Sequence, residues 1–485
     1  MKAIRLQAIA GARWSALESL SGQAISFVVF LVMARLLTPA DFGVVAIANI
    51  YVLIVQFFIF QGLGQAIIQF EDLHDAHLNT VFWINLAVGG IFFAATLLLA
   101  EVIGVAFHSP SLAPILRGLS PVFILAALTD VQNNLLTRKL QFRALAFRTF
   151  LSYLLGGIVG VILAWKNFGA WSLVGQQLTV WLINLLALWT SSAWRPSLTF
   201  CPARSRRLLR FGVQILWVDL LSLVNRRADQ LFVGKFLGPI TVGFYAVGSR
   251  VAMLVSEVLA RSFSRVSFSA LSRIQNDTAR FRNALLEIVE MQSAFIFPAA
   301  IGLALVTPEV VQICFGPKWN SAIPIMQILL LACPLDALSG AHQAALVSQG
   351  KPGWSSKLAT AHAVTNLIGF AIAIHWGAVA VAIAFSTRAL LLLPVELFAL
   401  HRALDFPIAR LFKPLSFQLL ANGLMVSAVI LFRANLSLSP LANLTSLTLL
   451  GALVYATCLG VLNRSLFDKI RQILLIRNFS PQTSI

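Results

Sequence analysis

A short basic stretch near the middle of the chain contains the residues with the clearest chemistry. Asn225-Arg226-Arg227-Ala228-Asp229 places two guanidinium groups and a carboxylate in one short run. An arginine presents a planar fork of donors that suits the oxygens of a phosphate group. Asp219, Ser222, Arg226 and Asp229 recur at helical spacing and would share one face of a helix. The stretch predicts an anion-binding site or, equally well, structural ion pairs between Arg226 and Asp229 or Asp219.

The composition of the whole chain defines the environment that must hold these charges. The chain has 485 residues, of which 59% are hydrophobic and 11% charged, with a mean hydropathy of +0.85. A soluble domain is roughly 45–50% apolar and about 25% charged. The composition therefore excludes a soluble globular protein and a disordered chain. The net charge is +18, which we assign to basic cytoplasmic loops and not to nucleic-acid binding. The sequence predicts an integral membrane protein.

Long apolar runs, separated by Pro, Gly and charged residues, predict about fourteen transmembrane helices and no strands. Two of these runs, 211–237 and 240–262, lie on either side of Gly238. Most of the 36 Lys and Arg residues fall in alternate loops. Basic residues mark the cytoplasmic side of a membrane protein, so this alternation predicts a multi-pass protein with both termini in the cytoplasm.

One hairpin motif occurs twice. Residues 34–46 and 234–246 share a basic residue, Leu, Pro, Gly and Ala in the same register. An even number of predicted spans separates the copies, so both halves have the same orientation in the membrane. We expect an all-α membrane fold with two pseudo-symmetric six-helix lobes, 1–206 and 207–400, followed by two helices in 401–485. Two such lobes would enclose the cavity of a transporter that works by alternating access.

Charged residues inside the predicted spans are candidate functional residues, because a charge at the bilayer centre costs several kcal/mol. Further polar groups in the second half are Asp336 and His342 in one span and Glu396 in another. We predict that a phosphorylated cargo binds among residues on three spans: Asn225, Arg226, Arg227, Asp229, Arg250 and Arg388.

Motifs for catalysis or for a cofactor are absent from the sequence. The chain has no GxxxxGK[ST] nucleotide-binding loop and no HExxH zinc motif. Its four cysteines stand apart from one another, which indicates neither a disulfide framework nor a zinc site. No long loop carries paired catalytic groups, as a membrane glycan polymerase or transferase would need. We expect a protein that is not an enzyme and that holds no metal and no cofactor.

Two of these stretches also resemble a known family. Residues 34–43 (ARLLTPADFG) and 225–238 (NRRADQLFVGKFLG) resemble the polysaccharide exporters of the multidrug/oligosaccharidyl-lipid/polysaccharide superfamily. The likeness is to Wzx-type flippases, in the branch similar to colanic-acid and teichuronic-acid exporters, and its layout extends over 10–400. Arg226 and Asp229 match the charged motif of the family.

The resemblance implies a bacterial inner-membrane transporter that flips undecaprenyl-diphosphate-linked oligosaccharide by alternating access. Its product would enter exopolysaccharide, capsule or O-antigen (lipopolysaccharide) biosynthesis, with a polysaccharide polymerase and a chain-length regulator as partners. The alternative within the same fold is a cation-coupled exporter of drugs or other small amphipathic molecules.

A proton or sodium gradient would drive such a transporter, and the coupling residue stays open. Drug-exporting relatives often carry an acidic cation site halfway along their first span. Here Glu18 lies near the cytoplasmic end of that span, which weakens the drug-exporter interpretation. Candidate coupling residues are Asp130, Asp229 and Glu257.

Overall fold

The computed structural model describes the backbone of residues 2–60, 64, 67–68, 74–199, 202–435 and 439–475. Within these ranges the side chains of several helical segments lie outside the description: 2–10, 12–13, 16, 202–222, 224, 258, 260–262, 264–266, 413–414 and 470–475. The described residues form helices joined by short turns, with no strand among them. The predicted all-α membrane fold is confirmed.

The chain forms two compact units, Met1–Ala246 and Val247–Ile485. The lobe boundaries at 206 and 400 stay predictions. The helices of the first unit are α1 (Lys2–Leu36), α2 (Pro39–Phe60), α3 (Asp75–Ala106), α4 (Leu112–Leu119), α5 (Pro121–Arg138), α6 (Phe142–Trp165), α7 (Trp171–Ser191) and the first part of α8 (Pro202–Val255).

Packing within the first unit centres on α5 and α6. Helix α6 lies against α1 and α7, and α5 lies against α3 and α7. Phe82, Val131 and Leu135 belong to one buried cluster, with Trp189 and Trp194 packed on its edge.

Among the described residues, the second unit contains the end of α8, a π-helical turn at Ser256–Ala260, nine further α-helices and three shorter helical turns. The α-helices are α9 (Arg261–Arg273), α10 (Thr278–Leu305), α11 (Thr307–Val310), α12 (Ile323–Ser348), α13 (Pro352–Ala373), α14 (Ala378–Leu404), α15 (Ala409–Asn435), α16 (Pro440–Leu462) and α17 (Arg464–Leu475). Helix α12 packs against α10 and α14, and α13 packs against α14. This arrangement brings polar residues of α12, α13 and α14 together in the interior.

Thirteen of the described helical segments are long and apolar enough to cross a membrane. Many of their large apolar side chains point outward, such as Leu98 at 79% and Val461 at 83% exposure. A water-soluble protein would hide such continuous apolar surfaces, whereas a bilayer solvates them.

Helix α8 explains the difference between thirteen candidate spans and the roughly fourteen predicted from the sequence. Gly238 has φ 83° and ψ 173°, so the helix breaks there. The break is expected because Pro239 follows directly and disfavours a helical conformation at the preceding residue. The predicted spans 211–237 and 240–262 lie on the two sides of this break, and Asn225–Val255 is the portion that counts as one candidate span.

The two copies of the hairpin motif contact each other reciprocally within the first unit. A Cβ atom on Gly43 would lie 1.7 Å from the carbonyl oxygen of Pro239, and one on Gly243 would lie 1.9 Å from that of Pro39. Equivalent residues therefore exchange equivalent contacts, as across a two-fold axis. Only glycine permits this close approach of the two backbones. The geometry supports the parallel repeat inferred from the sequence.

The two copies form the same turn in different ways. In the first, Thr38 caps α2: its backbone N–H donates to Asp41 Oδ2 at 3.0 Å, and the Asp41 N–H donates back to Thr38 Oγ1 at 3.3 Å. In the second copy Gly238 occupies the position of Thr38 and adopts a positive φ. In both copies proline is the first residue of the following helix, where its missing N–H costs no hydrogen bond.

Candidate anion site and buried carboxylates

The basic stretch predicted to bind an anion lies on α8 in the first unit. Arg226 is exposed, whereas Asn225 and Arg227 are half-buried and Asp229 is only 4% exposed. Arg226 forms no ion pair with any described residue, Asp229 included. The side chains of Asp219 and Ser222 lie outside the described residues, so the predicted four-residue face is seen in part. The predicted pair between Arg226 and Asp229 is absent among the described residues, whereas the alternative pair with Asp219 lies outside them. The Arg226 side chain itself is exposed.

Asp229 turns inward from the same stretch. One of its carboxylate oxygens, Oδ1, accepts a hydrogen bond of 2.8 Å from the backbone N–H of Gln230. The fully buried Tyr245 interacts electrostatically with this carboxylate. The sequence analysis did not identify Tyr245, because a tyrosine in an apolar helix carries no signal of its own. Asp229 is therefore an interior residue, whereas the neighbouring Arg226 is not.

Arg250 and Glu257 belong to the second unit. Both side chains are half-buried and interact with neighbouring residues. Glu257 lies in the π-helical turn that follows α8. Such turns widen a helix locally and occur frequently at functional sites.

Arg388 lies in the interior of the second unit, 7% exposed. Its Nη2 donates a hydrogen bond of 2.5 Å to Asp336 Oδ1, and its guanidinium lies 4.6 Å from the ring centroid of Phe385. Its Nε has no hydrogen-bond partner. Arg388 is therefore one half of a buried ion pair with Asp336. Its Nε–H is a donor that remains available.

Asp130, a predicted coupling residue, is buried in the first unit at 8% exposure. The amide nitrogens of Asn85 and Asn134 donate to its two carboxylate oxygens at 2.9 and 2.8 Å. Asp130 therefore links α5 to α3 through its hydrogen bond with Asn85. Both described partners are amides, which do not gain or lose a proton near neutral pH.

A second carboxylate in the first unit links α1 to α6. Glu18 Oε1 accepts hydrogen bonds from Arg148 Nη2 at 3.2 Å and from Thr149 Oγ1 at 2.8 Å. Arg148 also donates to Asn133 at 2.6 Å. Glu18 is thus occupied by a structural network.

Glu396, 2% exposed in the second unit, accepts hydrogen bonds from three side chains. It accepts from His342 Nδ1 at 3.0 Å, from His362 Nε2 at 2.8 Å and from the hydroxyl of Ser339. The sequence analysis noted His342 and Glu396 as polar residues in spans but did not join them, and it passed over His362. Spacing could not join them, because the residues come from three different helices.

An apolar groove of about 870 Å³ lies on the surface of the first unit. Trp14, Leu17, Phe147 and Phe150 line it, and Arg143 lies at its edge with the guanidinium 6.0 Å from the Trp14 ring. A groove with apolar walls and one basic residue suits a lipid chain with an anionic head.

Comparisons with known proteins agree with this membrane fold. Residues 32–324 match the family model described as "Polysaccharide biosynthesis protein". The chain is 27% identical to the lipopolysaccharide biosynthesis protein WzxC of Escherichia coli (strain K12), over 67% of each chain. It is also 27% identical to the succinoglycan biosynthesis transport protein ExoT of Rhizobium meliloti (strain 1021), over 66% of this chain and 65% of the relative.

The fold is that of a solved transporter. The lipid II flippase MurJ, in an inward closed conformation, superposes with a TM-score of 0.77 at 16% identity, covering 94% of this chain and 99% of that chain. At that identity the likeness establishes the fold. The match to the family model extends over more than half of the sequence, and the chain therefore belongs to the polysaccharide biosynthesis protein family of multi-pass membrane proteins.

Proposed function

We propose that this chain is a transporter that flips undecaprenyl-diphosphate-linked oligosaccharide across the bacterial inner membrane by alternating access. Its product feeds the synthesis of an exopolysaccharide, a capsule or an O-antigen. The names of the relatives WzxC and ExoT, a lipopolysaccharide and a succinoglycan biosynthesis protein, support this cargo class. The lipid II flippase with the same fold supports the type of transport.

The observation that carries the proposal is the accessible guanidinium of Arg226, which lies on α8 within the predicted span 211–237. Arg226 has no ion-pair partner among the side chains that the structure describes, and a charge near hydrocarbon is costly unless it meets a partner or a ligand. An exposed guanidinium is available for charge-assisted hydrogen bonds to a diphosphate. Asn225 and Arg227 lie beside it, and Asp229 fixes the stretch from the interior. Arg250 and Arg388, in the second unit, stay cargo ligands predicted from the sequence alone.

The sugars of the cargo travel through an aqueous route, while its polyprenyl tail stays in lipid. The groove beside Trp14 and Arg143 supports a lipid contact on the first unit. A proton or sodium gradient drives the cycle through an acidic residue; Asp130, Asp229 and Glu257 are the candidates identified from the sequence. Both termini lie in the cytoplasm, and the partners are the polymerase and chain-length regulator of the same polysaccharide. No catalytic step is part of this role.

A deletion strain tests the proposal. Loss of the protein should abolish the surface polysaccharide and cause lipid-linked repeat units to accumulate in the inner leaflet, and the wild-type chain should restore both. Unchanged surface polysaccharide, with drug resistance on expression, would show instead that the chain exports small amphipathic molecules.

A further inference from the structure

Three consecutive membrane-spanning helices of the second unit meet at Glu396. Ser339 and His342 come from α12, His362 comes from α13, and Glu396 comes from α14. The side chains of His342 and His362 are 3% and 9% exposed, and that of Glu396 is 2% exposed. A carboxylate that joins two imidazoles in an interior lined by apolar helices is more than a packing contact, because imidazole is the side chain that titrates near neutral pH.

The geometry is that of donors to a carboxylate. His342 Nδ1 faces Glu396 Oε2, whereas His362 Nε2 and the Ser339 hydroxyl face Oε1. Each imidazole can make its bond while neutral, by placing its single N–H on the nitrogen that faces Glu396. A metal site would instead need these nitrogens and oxygens to point at one shared centre. Among the described residues no group of three His, Cys, Asp or Glu side chains is arranged to hold a metal ion.

The net charge of Glu396 and its neighbours would be balanced by one added proton. Asp336, which forms an ion pair with Arg388, also interacts electrostatically with His362 and Glu396. When both imidazoles are neutral, the charges of Asp336 and Arg388 cancel each other. Glu396 then contributes an uncompensated negative charge in the membrane interior. Such a charge is costly to bury. One added proton on an imidazole makes the group neutral overall.

The other described charged side chains on α9, α10, α13 and α14 bond elsewhere or are exposed, as Arg280 and Arg402 are. On α10, Arg282 bonds to Asp405, Glu287 to Lys469 and Glu290 to Asn463. On α9, the described charged side chain is Arg273, which is exposed. On α13, Lys357 lies 5.3 Å from the ring centroid of Trp354.

Among the described residues, the titratable groups that interact with Glu396 are His342, His362 and Asp336, and Asp336 is paired with Arg388. Cys333 on α12 bonds to the carbonyl oxygens of Ala252 and Leu329. Glu257, in the π-helical turn that packs against α12, is half-buried and has interactions of its own.

We propose that the Glu396 cluster is a proton-binding site and that this proton is the ion that drives transport, which rests on the proposed function. The proton adds to the lone pair of an imidazole nitrogen that does not face Glu396, and the N–H donated to the carboxylate stays in place. It enters at His362, the more exposed of the two imidazoles. The imidazolium then pairs with the carboxylate, and the bond between α13 and α14 strengthens. The described partners of Asp130 are amides, so a proton there would have to bind the carboxylate itself.

Proton binding is measured without any cargo. Full-length protein with isotope-labelled histidine is placed in lipid nanodiscs and followed by NMR between about pH 5 and pH 8. The signals of His342 and His362 should move together through one shared step. In Glu396→Gln, which keeps the size of the side chain but not its charge, the proton affinity should fall about ten-fold or more. His401→Gln, an exposed histidine on the same helix, should remove its own signal and leave the step unchanged.

Several outcomes would overturn the inference. One is that the NMR signals of His342 and His362 do not shift between about pH 5 and pH 8. Another is that the protonation step occurs at the same pH in wild type and in Glu396→Gln. If Glu396→Gln does not fold, His362→Gln replaces it, because the glutamine amide can still donate to Glu396. Histidine signals that respond to added Zn²⁺ but not to pH would identify a metal site instead.

Proteoliposomes that contain lipid-linked oligosaccharide then separate the two proposals. A pH gradient should accelerate flipping by wild type but not by Glu396→Gln, and a sodium gradient should act on neither. An intact proton step without any flipping would overturn the proposed function and leave the proton site. Flipping that is driven by a sodium gradient, without a proton step, would overturn the proton site and leave the proposed function.

Discussion

At the scale of single residues, two arginines in membrane-spanning helices have opposite surroundings. Arg388 is 7% exposed, bonded to Asp336 and packed on Phe385. Arg226 is exposed and forms no ion pair with a described residue. A buried charge must be compensated, whereas an accessible one is free to meet a ligand. Substitution should therefore affect folding at the first position and transport at the second.

Arg388→Ala should lower the amount of folded protein. It leaves the Asp336 carboxylate without its cation, which should cost about 2–3 kcal/mol because Asp336 is partly exposed. Thermal unfolding in detergent measures the loss. The double variant Asp336→Asn with Arg388→Ala removes both charges and should recover most of the stability. Full stability of Arg388→Ala alone, with export lost, would instead make Arg388 chiefly a cargo ligand.

Arg226→Ala should reduce polysaccharide export without changing the protein level. Two charge-assisted hydrogen bonds to a phosphate contribute about 1.5–3 kcal/mol each, so export should fall at least ten-fold. Surface polysaccharide and immunoblots of the membrane measure the two quantities. Lys235→Ala is the matched control, because it removes another exposed basic residue from the same helix. Loss of folded protein in Arg226→Ala would favour a structural role.

The sequence selected candidate residues, but it did not predict their partners. Arg226, Asp229 and Asp130 could be selected because charge in an apolar run is costly wherever the helix faces. Their environments depend on helix rotation, which sequence spacing does not determine. Glu396 shows the limit: its partners come from two other helices, and His362 carries no signal until α13 packs against α14.

At the scale of elements, the repeated hairpin is where a sequence pattern corresponds most directly to a packing contact. Pro39 and Pro239 begin their helices, and Gly43 and Gly243 receive the opposite proline's carbonyl oxygen. The break of α8 at Gly238 could be predicted, since Gly-Pro cannot continue a helix. The reciprocal contact could not, because the sequence shows the register of a repeat but not which surfaces of its copies meet.

Gly43→Ala and Gly243→Ala should each destabilise the protein. The new methyl group would overlap a proline carbonyl oxygen, and forced overpacking costs about 1–3 kcal/mol. The thermal unfolding temperature of the purified protein should drop in both variants. Gly90→Ala is the matched control: no atom lies within 4 Å of its Cβ position, so this change should be neutral or slightly stabilising. Equal unfolding temperatures for all three variants would contradict the reciprocal contact.

At the scale of the whole molecule, the predicted topology rests on the distribution of basic residues. Lys139 and Lys166 are exposed at the ends of consecutive helices, α5 and α6. The prediction assigns the first to the cytoplasmic side and the second to the outer side.

Single cysteines at these two positions test the orientation. In a chain without its four native cysteines, Lys166→Cys should react with an impermeant maleimide on intact cells. Lys139→Cys should react only after the inner membrane is opened. The opposite pattern would invert the topology and place both termini outside.

Fold class and membrane location followed from composition and apolar run length, which depend on little beyond local sequence. The division into units Met1–Ala246 and Val247–Ile485 did not follow from the same signals. It depends on which helices pack together, and α8 passes through the boundary without a break at that point. The repeat period indicated duplication but not where the contacts between helices thin out.

The most direct test of the central claim is flipping by the purified full-length chain in proteoliposomes. The lumenal and external pools of a labelled undecaprenyl-diphosphate-linked oligosaccharide are distinguished by an impermeant reagent. Wild type and Lys235→Ala should expose the lumenal pool far faster than protein-free vesicles, and Arg226→Ala at equal protein content should not. Wild-type vesicles no faster than protein-free ones, or Arg226→Ala vesicles as fast as wild type, would contradict transport of a phosphorylated lipid through Arg226.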